Sequence, residues 1–208
     1  MIRIAARLGS VLLLFCAISL AQFGLRNAQN ELRPTSVSIP MRDGVRLAAD
    51  LFLPGSGRWP TVLVMTPYGR NTPSTRSYRY FLSRGYAVMI EDLRGRYGSR
   101  GVFGPITQSG PDGNDTIDWI AAQPWSNGRV ATAGSSYLGL VQWWVALEDN
   151  PHLLAISPMN SGDDEYTDRY YSAGGAVQLG HLPRIYRSLF LGRRRGPTWP
   201  SAAVAGRE

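Results

Sequence analysis

The sequence predicts an α/β fold in which a mostly parallel sheet carries helices on both faces. Three observations support this class: an early hairpin signal, continuous apolar runs typical of buried parallel strands, and stretches of helical periodicity between those runs. Strand and helix patterns that alternate along a chain indicate parallel βα units. The 208 residues suffice for one domain with a substantial core.

The first residues of the chain have the pattern of a secretory signal peptide. Arg3 and Arg7 precede an apolar run over residues 11–18, and a small-residue cleavage site ends at Ala21. The alternative, a membrane anchor, needs about 20 apolar residues, and this run is shorter. We therefore expect no stable membrane span and export to the periplasm or the medium after cleavage near Ala21. Cys16, the single cysteine, would leave with the signal peptide.

The net charge of +7 could suggest a nucleic-acid partner, but its distribution argues against one. The predicted signal peptide holds two arginines, and residues 181–208 hold six arginines and one acidic residue. The body between them is neutral, so the sequence predicts no basic face for phosphates and no nucleic-acid partner.

The predicted sheet begins with a hairpin after a polar lead-in over residues 22–35. Residues 36–41 and 45–53 are β-rich, and the Arg-Asp-Gly at residues 42–44 between them is a turn signal. Three later runs have the length and composition of buried strands: residues 61–65, 86–90 and 153–156.

Three segments between and after these strands have helical patterns. Residues 77–84 end at Gly85, residues 112–122 end before Pro124, and residues 138–150 follow a short fifth strand predicted at residues 130–133. Each helix connects two predicted strands, as in parallel βα units.

The segment from Arg129 to Gly139 joins the fifth strand to the third helix through a turn that contains Ser136. A strand, a serine beside glycine and a helix form the nucleophile elbow of the α/β-hydrolase fold. Gly134 keeps a Cβ out of the turn, and Gly139 lets helix and strand approach closely. The motif reads G-x-S-Y-x-G, with Leu138 at the second glycine of the common G-x-S-x-G. The alternative is a serine-rich turn that merely enters a helix.

Further motifs occur in order along residues 36–175. They are Pro-Met-Arg-Asp-Gly-Val-Arg-Leu at 40–47, Pro-Tyr at 67–68, Asp-Leu-Arg-Gly at 92–95, Gln-Pro-Trp-Ser-Asn-Gly at 123–128 and Gly-Ser-Ser-Tyr-Leu-Gly at 134–139. This set resembles the cocaine-esterase-like (CocE/NonD) hydrolases, within the broader family of X-Pro dipeptidyl-peptidases and α-amino-acid ester hydrolases. The resemblance covers the N-terminal part of that family only.

Acyl transfer needs a nucleophile, a base, a group that orients the base, and donors to the oxyanion. The elbow supplies Ser136 as nucleophile. The resemblance implies that the Tyr68 hydroxyl donates to the oxyanion together with the backbone N–H of Tyr137. The alternative for Tyr68 is a buried aromatic residue beside a turn proline. A small ester, amide or peptide substrate follows from the same resemblance, with no cofactor and no metal.

The catalytic histidine is the missing part. His152 precedes the sixth strand, which places it at the end of the sheet opposite Ser136. The order Ser136, Asp168, His181 is that of the fold's triad, but the segment between the last two is too short for the expected βα unit. We therefore expect the triad Asp and His to be absent from this chain.

Other polar clusters have structural interpretations. The carboxylates of residues 163–165 and Asp168 could bind a substrate ammonium group, although a solvated acidic loop is the simpler interpretation. Asp92 and Arg94 are predicted to form an ion pair near the site. The glycine-rich loop at residues 95–104 lacks the Lys-Ser/Thr ending of a phosphate loop, which argues against nucleotide binding.

The sequence thus predicts a truncated α/β-hydrolase, for which two interpretations stay open. One is an exported serine hydrolase whose last strands are not in this chain, so that the chain itself is inactive or nearly so. The other is a non-catalytic remnant or binding module with an intact elbow. The expected segments are a signal peptide at 1–21, a lead-in at 22–35, an incomplete core at 36–159, the start of a helical cap at 160–192 and an irregular tail at 193–208.

Overall fold

The computed structural model describes residues 34–104, 106–162, 171–172 and 176–177. The chain divides into two units, Met1–Thr35 and Ser36–Glu208, and the sheet belongs to the second apart from its first residue. The predicted signal peptide, the irregular tail and most of the predicted cap lie outside the described residues.

Six strands form one mixed sheet with the order β1-β2-β4-β3-β5-β6. Their bounds are β1 Thr35–Pro40, β2 Arg46–Phe52, β3 Trp59–Thr66, β4 Ala87–Asp92, β5 Ser126–Ser135 and β6 Leu153–Met159. β2 is antiparallel to β4, whereas β3 is parallel to β4 and β5, and β5 is parallel to β6. The predicted mostly parallel sheet is confirmed. A separate antiparallel pair consists of β7 (Tyr171–Ser172) and β8 (Ala176–Val177).

The connection between β1 and β2 is the predicted Asp-Gly turn. The backbone N–H of Met41 donates to the carbonyl of Val45 at 2.8 Å, and that of Gly44 donates to Met41 at 2.9 Å. Gly44 has φ 81°, a left-handed conformation that glycine adopts without a steric penalty. This turn sets the register of the hairpin.

The helices follow the predicted order with shifted ends. They are α1 Pro73–Arg76, which continues into a 3₁₀ helix Ser77–Arg84; a short 3₁₀ turn Ile106–Gln108; α2 Ser109–Ala121; and α3 Tyr137–Ala146. α2 begins before the predicted residue 112 because Pro111 is accommodated in the first turn, where no backbone N–H is required. α3 ends before the predicted residue 150, and Asp149 beyond it has φ 52°.

Successive residues of β3 face opposite sides of the sheet, as strand geometry requires. Leu63 and Met65 pack in a core with Ile117 of α2 and Val141 of α3. Val62 and Val64 pack on the other face with Leu82 of the 3₁₀ helix. Helical elements therefore cover both faces of the sheet, as the sequence predicts.

The β6 edge of the sheet differs from the centre in its exposure. All residues of β4 are buried, whereas every residue of β6 is exposed or half-buried. Leu154 of β6 is 55% exposed, and Met159 is 48% exposed. The described sheet therefore buries its centre and leaves this edge open. Within the described residues, no helix has the length and apolar character needed to span a membrane.

Candidate active site

Ser136 lies at a sharp turn between β5 and α3. Its backbone has φ 59° and ψ −122°, a conformation that non-glycine residues rarely adopt and that costs about 1–3 kcal/mol. The residue is exposed. Its position at the N-terminal end of α3 places partial positive charge beside its hydroxyl group. The sequence-predicted strand–serine–helix turn is thus present, and the serine at its apex is exposed.

Two glycines allow the turn to be this tight. A Cβ on Gly134 would lie 2.6 Å from the carbonyl oxygen of Leu138. A Cβ on Gly139 would lie 2.6 Å from Ser161 Oγ and 2.8 Å from the Met159 carbonyl oxygen. Real Cβ atoms essentially never approach other atoms so closely. The glycines therefore have the packing roles that the motif predicts.

The turn that follows β6 holds the elbow from the side. The backbone N–H of Ser136 donates to the carbonyl of Met159 at 2.8 Å. The side-chain amide of Asn160, whose φ is 49°, donates to Ser135 Oγ at 3.0 Å. Both bonds join the C-terminal end of β6 to the residues around the exposed serine.

Tyr68 lies at the same edge of the sheet, two residues after β3. Its ring meets the ring of Tyr137, the residue after Ser136, edge to face with centroids 6.5 Å apart. Tyr68 is 36% exposed. The structure thus brings together the three residues to which the sequence assigns a catalytic role: Tyr68, Ser136 and Tyr137.

Charged side chains anchor the loop that carries Tyr68. Arg70 donates to Asp92 through its backbone N–H at 3.0 Å and through Nε at 2.9 Å, and its guanidinium also contacts Asp50 at 3.0 Å. Arg96 Nε donates to the carbonyl oxygen of Pro67 at 2.9 Å. Burial raises the pKa of Asp92, although the Gly98 N–H and Arg70 oppose this effect.

The predicted ion pair between Asp92 and Arg94 is wrong. Asp92 pairs with Arg70, whereas Arg94 pairs with Asp43 at 2.7 Å and with Asp112 at 2.5 Å. The chain turns directly after β4, so Arg94 no longer follows Asp92 along an extended strand and instead faces α2. These three ion pairs hold loops around the site.

Glu91 is a buried carboxyl group that sequence reasoning did not single out. Its side chain is fully buried, and Oε2 accepts a hydrogen bond from Thr116 Oγ1 at 2.7 Å. Oε1 has no hydrogen-bond partner among the described residues. Burial is the main cause that raises the pKa of Glu91 to about 8; the hydrogen bond from Thr116 opposes this rise, and the nearby Asp112 and Asp92 contribute to it. Glu91 is therefore neutral in the folded protein at pH 7.

This raised pKa predicts a pH-dependent effect of Glu91→Gln on stability. Between about pH 4.5 and pH 8 the unfolded chain loses the proton that the folded chain keeps, so stability falls as the pH rises, by about 1.4 kcal/mol for each pH unit. Glutamine has no such proton, so the melting temperature of Glu91→Gln relative to wild type should increase from pH 5 to pH 8. Glu148→Gln, at an exposed position, is the control. A difference that does not change with pH would show that Glu91 is ionised in the folded protein.

The structure separates His152 from Ser136, as the sequence predicts. The backbone carbonyl of His152 accepts a hydrogen bond from the backbone N–H of Val130 at 2.9 Å. The ring Nδ1 of His152 lies 2.9 Å from the carbonyl oxygen of Gly128. Ser136 lies six residues after Val130, which corresponds to about 20 Å along the strand. His152 therefore cannot act as the base for Ser136.

The other candidate base and the acidic cluster lie outside the described residues. These are His181, Asp168 and the carboxylates at residues 163–165. Trp143 and Trp144 are both half-buried on α3.

Known proteins are similar to this region in sequence and in fold. The family model for X-Pro dipeptidyl-peptidase (S15 family) matches residues 43–197. Cocaine esterase of Rhodococcus sp. (strain MB1 Bresler) is 41% identical over 152 residues, which cover 70% of this chain and 26% of that protein. The chain spans about a quarter of the length of the curated relatives that it matches first.

Solved structures give the same picture. A CocE/NonD family hydrolase from Staphylococcus aureus is 28% identical with a TM-score of 0.70, covering 79% of this chain and 33% of that one. An aminopeptidase from a marine sediment Thaumarchaeota archaeon is 30% identical with a TM-score of 0.64, covering 75% and 30%. An α-amino acid ester hydrolase is 33% identical with a TM-score of 0.53, covering 60% and 24%.

Proposed function

Because the chain belongs to the X-Pro dipeptidyl-peptidase (S15) family of hydrolases, we propose that it carries the nucleophile half of a serine hydrolase site. In this proposal the Ser136 hydroxyl attacks the carbonyl carbon of a small ester, amide or peptide substrate. The leaving group departs, and water then hydrolyses the acyl-enzyme. The observation that carries the proposal is the exposed Ser136 with φ 59° at a strand–helix turn.

Two donors would stabilise the oxyanion. The Tyr137 N–H is the first backbone N–H of α3, and the Tyr68 ring packs against the Tyr137 ring. A hydroxyl and an N–H that face the carbonyl oxygen stabilise the negative charge that develops on it, and such donors contribute most in the transition state. We assign these roles to Tyr68 and Tyr137.

In our proposal, this chain supplies neither the base nor the group that orients the base. His152 lies at the opposite end of the sheet, and His181 follows Asp168 too closely for the usual βα connection. Without a base, a serine hydroxyl keeps its ordinary pKa and is a poor nucleophile at neutral pH. The chain alone should therefore turn over substrate very slowly.

An ester assay tests this expectation on the chain itself. Residues 22–208 should hydrolyse p-nitrophenyl acetate no faster than the Ser136→Ala variant does. That result fits both the proposed function and the non-catalytic alternative, in which the chain is only a remnant or binding module. Turnover that depends on Ser136 and disappears with His181→Ala would show instead that this chain contains its own base.

We also propose export, on the basis of the charged, apolar and small-residue order before Ala21. Mature protein recovered from outside the cytoplasm should begin at Gln22 on N-terminal sequencing. Protein that stays in the cytoplasm with Met1 retained would contradict this proposal.

A further inference from the structure

Gln142 is a buried polar residue in the middle of an otherwise apolar helix. It is 2% exposed, and its amide group bonds to three structural elements. Oε1 accepts from Thr132 Oγ1 of β5 and from the backbone N–H of Ser157 of β6, each at 2.9 Å. Nε2 donates to the carbonyl oxygen of Leu138 at 2.8 Å. The same nitrogen lies 3.4 Å from the carbonyl oxygen of Gly134 and 3.3 Å from that of Ser157.

These contacts fix the orientation of the side-chain amide. Its oxygen accepts two hydrogen bonds, and its two N–H groups face only carbonyl oxygens, so the full capacity of the group is used. Exchanging oxygen and nitrogen would direct an N–H group at the Ser157 N–H and the oxygen at carbonyl oxygens. Only one orientation satisfies all partners, which makes the contact between α3, β5 and β6 specific.

Two of the four residues that bond to Gln142 lie on either side of the exposed serine. Gly134 is two residues before Ser136, and Leu138 is two residues after it. The Ser136 backbone has φ 59°, and such strained conformations persist only when the surrounding structure holds them. Gln142 bonds to the carbonyls on both sides of this strained residue, and through Ser157 it also bonds to β6, the strand that ends at Met159.

We propose that Gln142 is a positioning residue for the nucleophile elbow, holding the strained Ser136 backbone through the Gly134 and Leu138 carbonyls. Gln142 does not contact substrate. The inference rests on the proposed function only because Ser136, the residue that Gln142 positions, is the proposed nucleophile. A purely structural residue of the same burial would stabilise the whole domain, whereas a positioning residue should restrain the elbow more than the rest of the sheet.

Hydrogen–deuterium exchange of the full chain separates these two roles without requiring activity. Gln142→Met keeps the size of the side chain and removes its donors and acceptor. We expect the amides of residues 136–140 to exchange about tenfold faster or more in this variant, since they open locally, with little change in β3 and β4. The control is Val145→Ala, a fully buried position one turn later on the same helix, compared at a denaturant concentration that gives equal global stability.

The comparison decides the proposal in either direction. Faster exchange at residues 136–140 in Gln142→Met than in the Val145→Ala control supports it. Equal exchange in the two variants overturns it. If Gln142→Met does not fold, Thr132→Val removes one of the bonds to Oε1 and should give a smaller acceleration of the same amides; no local acceleration there overturns the proposal. Because exchange reports on the elbow directly, the result is independent of whether Ser136 is the nucleophile.

Discussion

Replacing Ser136 with alanine is expected to abolish ester hydrolysis in a full-length hybrid, in which a relative would provide the base that we propose this chain lacks. In this hybrid, residues 36–159 of the chain replace the aligned segment of the Rhodococcus cocaine esterase, the 41% identical relative. Removing the nucleophile of a serine hydrolase lowers kcat by roughly 10⁴-fold or more, because the remaining groups cannot form the acyl-enzyme. The measurement is kcat for p-nitrophenyl acetate.

The adjacent serine provides a matched control. Ser135 has the same side chain and accepts a hydrogen bond from Asn160, but it ends β5 and does not lie at the strained position. Ser135→Ala should keep most of the hybrid's kcat. If Ser135→Ala loses activity and Ser136→Ala keeps it, our account has assigned the nucleophile to the wrong serine.

The second large effect is expected from Tyr68→Phe in the same hybrid. This change removes one hydroxyl and keeps the ring that packs against Tyr137. Loss of a single oxyanion donor lowers kcat by roughly 10²–10³-fold. The Michaelis constant should change little, because the hydroxyl acts on charge that develops only in the transition state.

Tyr80→Phe is the control for this substitution. Tyr80 is 55% exposed on the 3₁₀ helix, and the guanidinium of Arg84 lies over its ring at 3.4 Å. Removing its hydroxyl should leave kcat unchanged. If Tyr68→Phe also leaves kcat unchanged, the oxyanion donor is another group, and Tyr68 serves only to pack against Tyr137.

The order of elements and the elbow could be predicted because they depend on local patterns. Continuous apolar runs locate β3 and β4, and Gly134 and Gly139 identify a tight turn whose close contacts the structure shows. The ends were harder to predict. Asn127 and Gly128 have the composition of a turn, yet they lie inside β5, where Gly128 takes φ 80°.

The ion pairs could not be predicted, because their partners are distant in the sequence. Asp92 binds Arg70 across the end of the sheet, and Arg94 binds Asp112 at the start of α2. Neighbouring charges in a motif suggest a local pair, but the turn after β4 directs the two side chains to different elements.

Two buried polar residues left only weak signals in the sequence. Gln142 interrupts an apolar helical segment, and Glu91 follows the apolar run that predicts β4. A polar residue at such a position is either exposed or satisfied by partners from other elements, and only the fold shows which. For Gln142 the partners come from β5 and β6, whereas Glu91 finds Thr116 of α2 for one oxygen.

The central claim is that Ser136 is the nucleophile, and covalent labelling tests it most directly. A fluorophosphonate reacts with a serine hydroxyl only when that serine is activated, as in the proposed acyl transfer. We expect the active hybrid to gain one adduct, which peptide mass spectrometry should locate on Ser136 and which Ser136→Ala should lack. An active hybrid that carries the adduct on another residue, or that remains unlabelled at Ser136, would contradict the account.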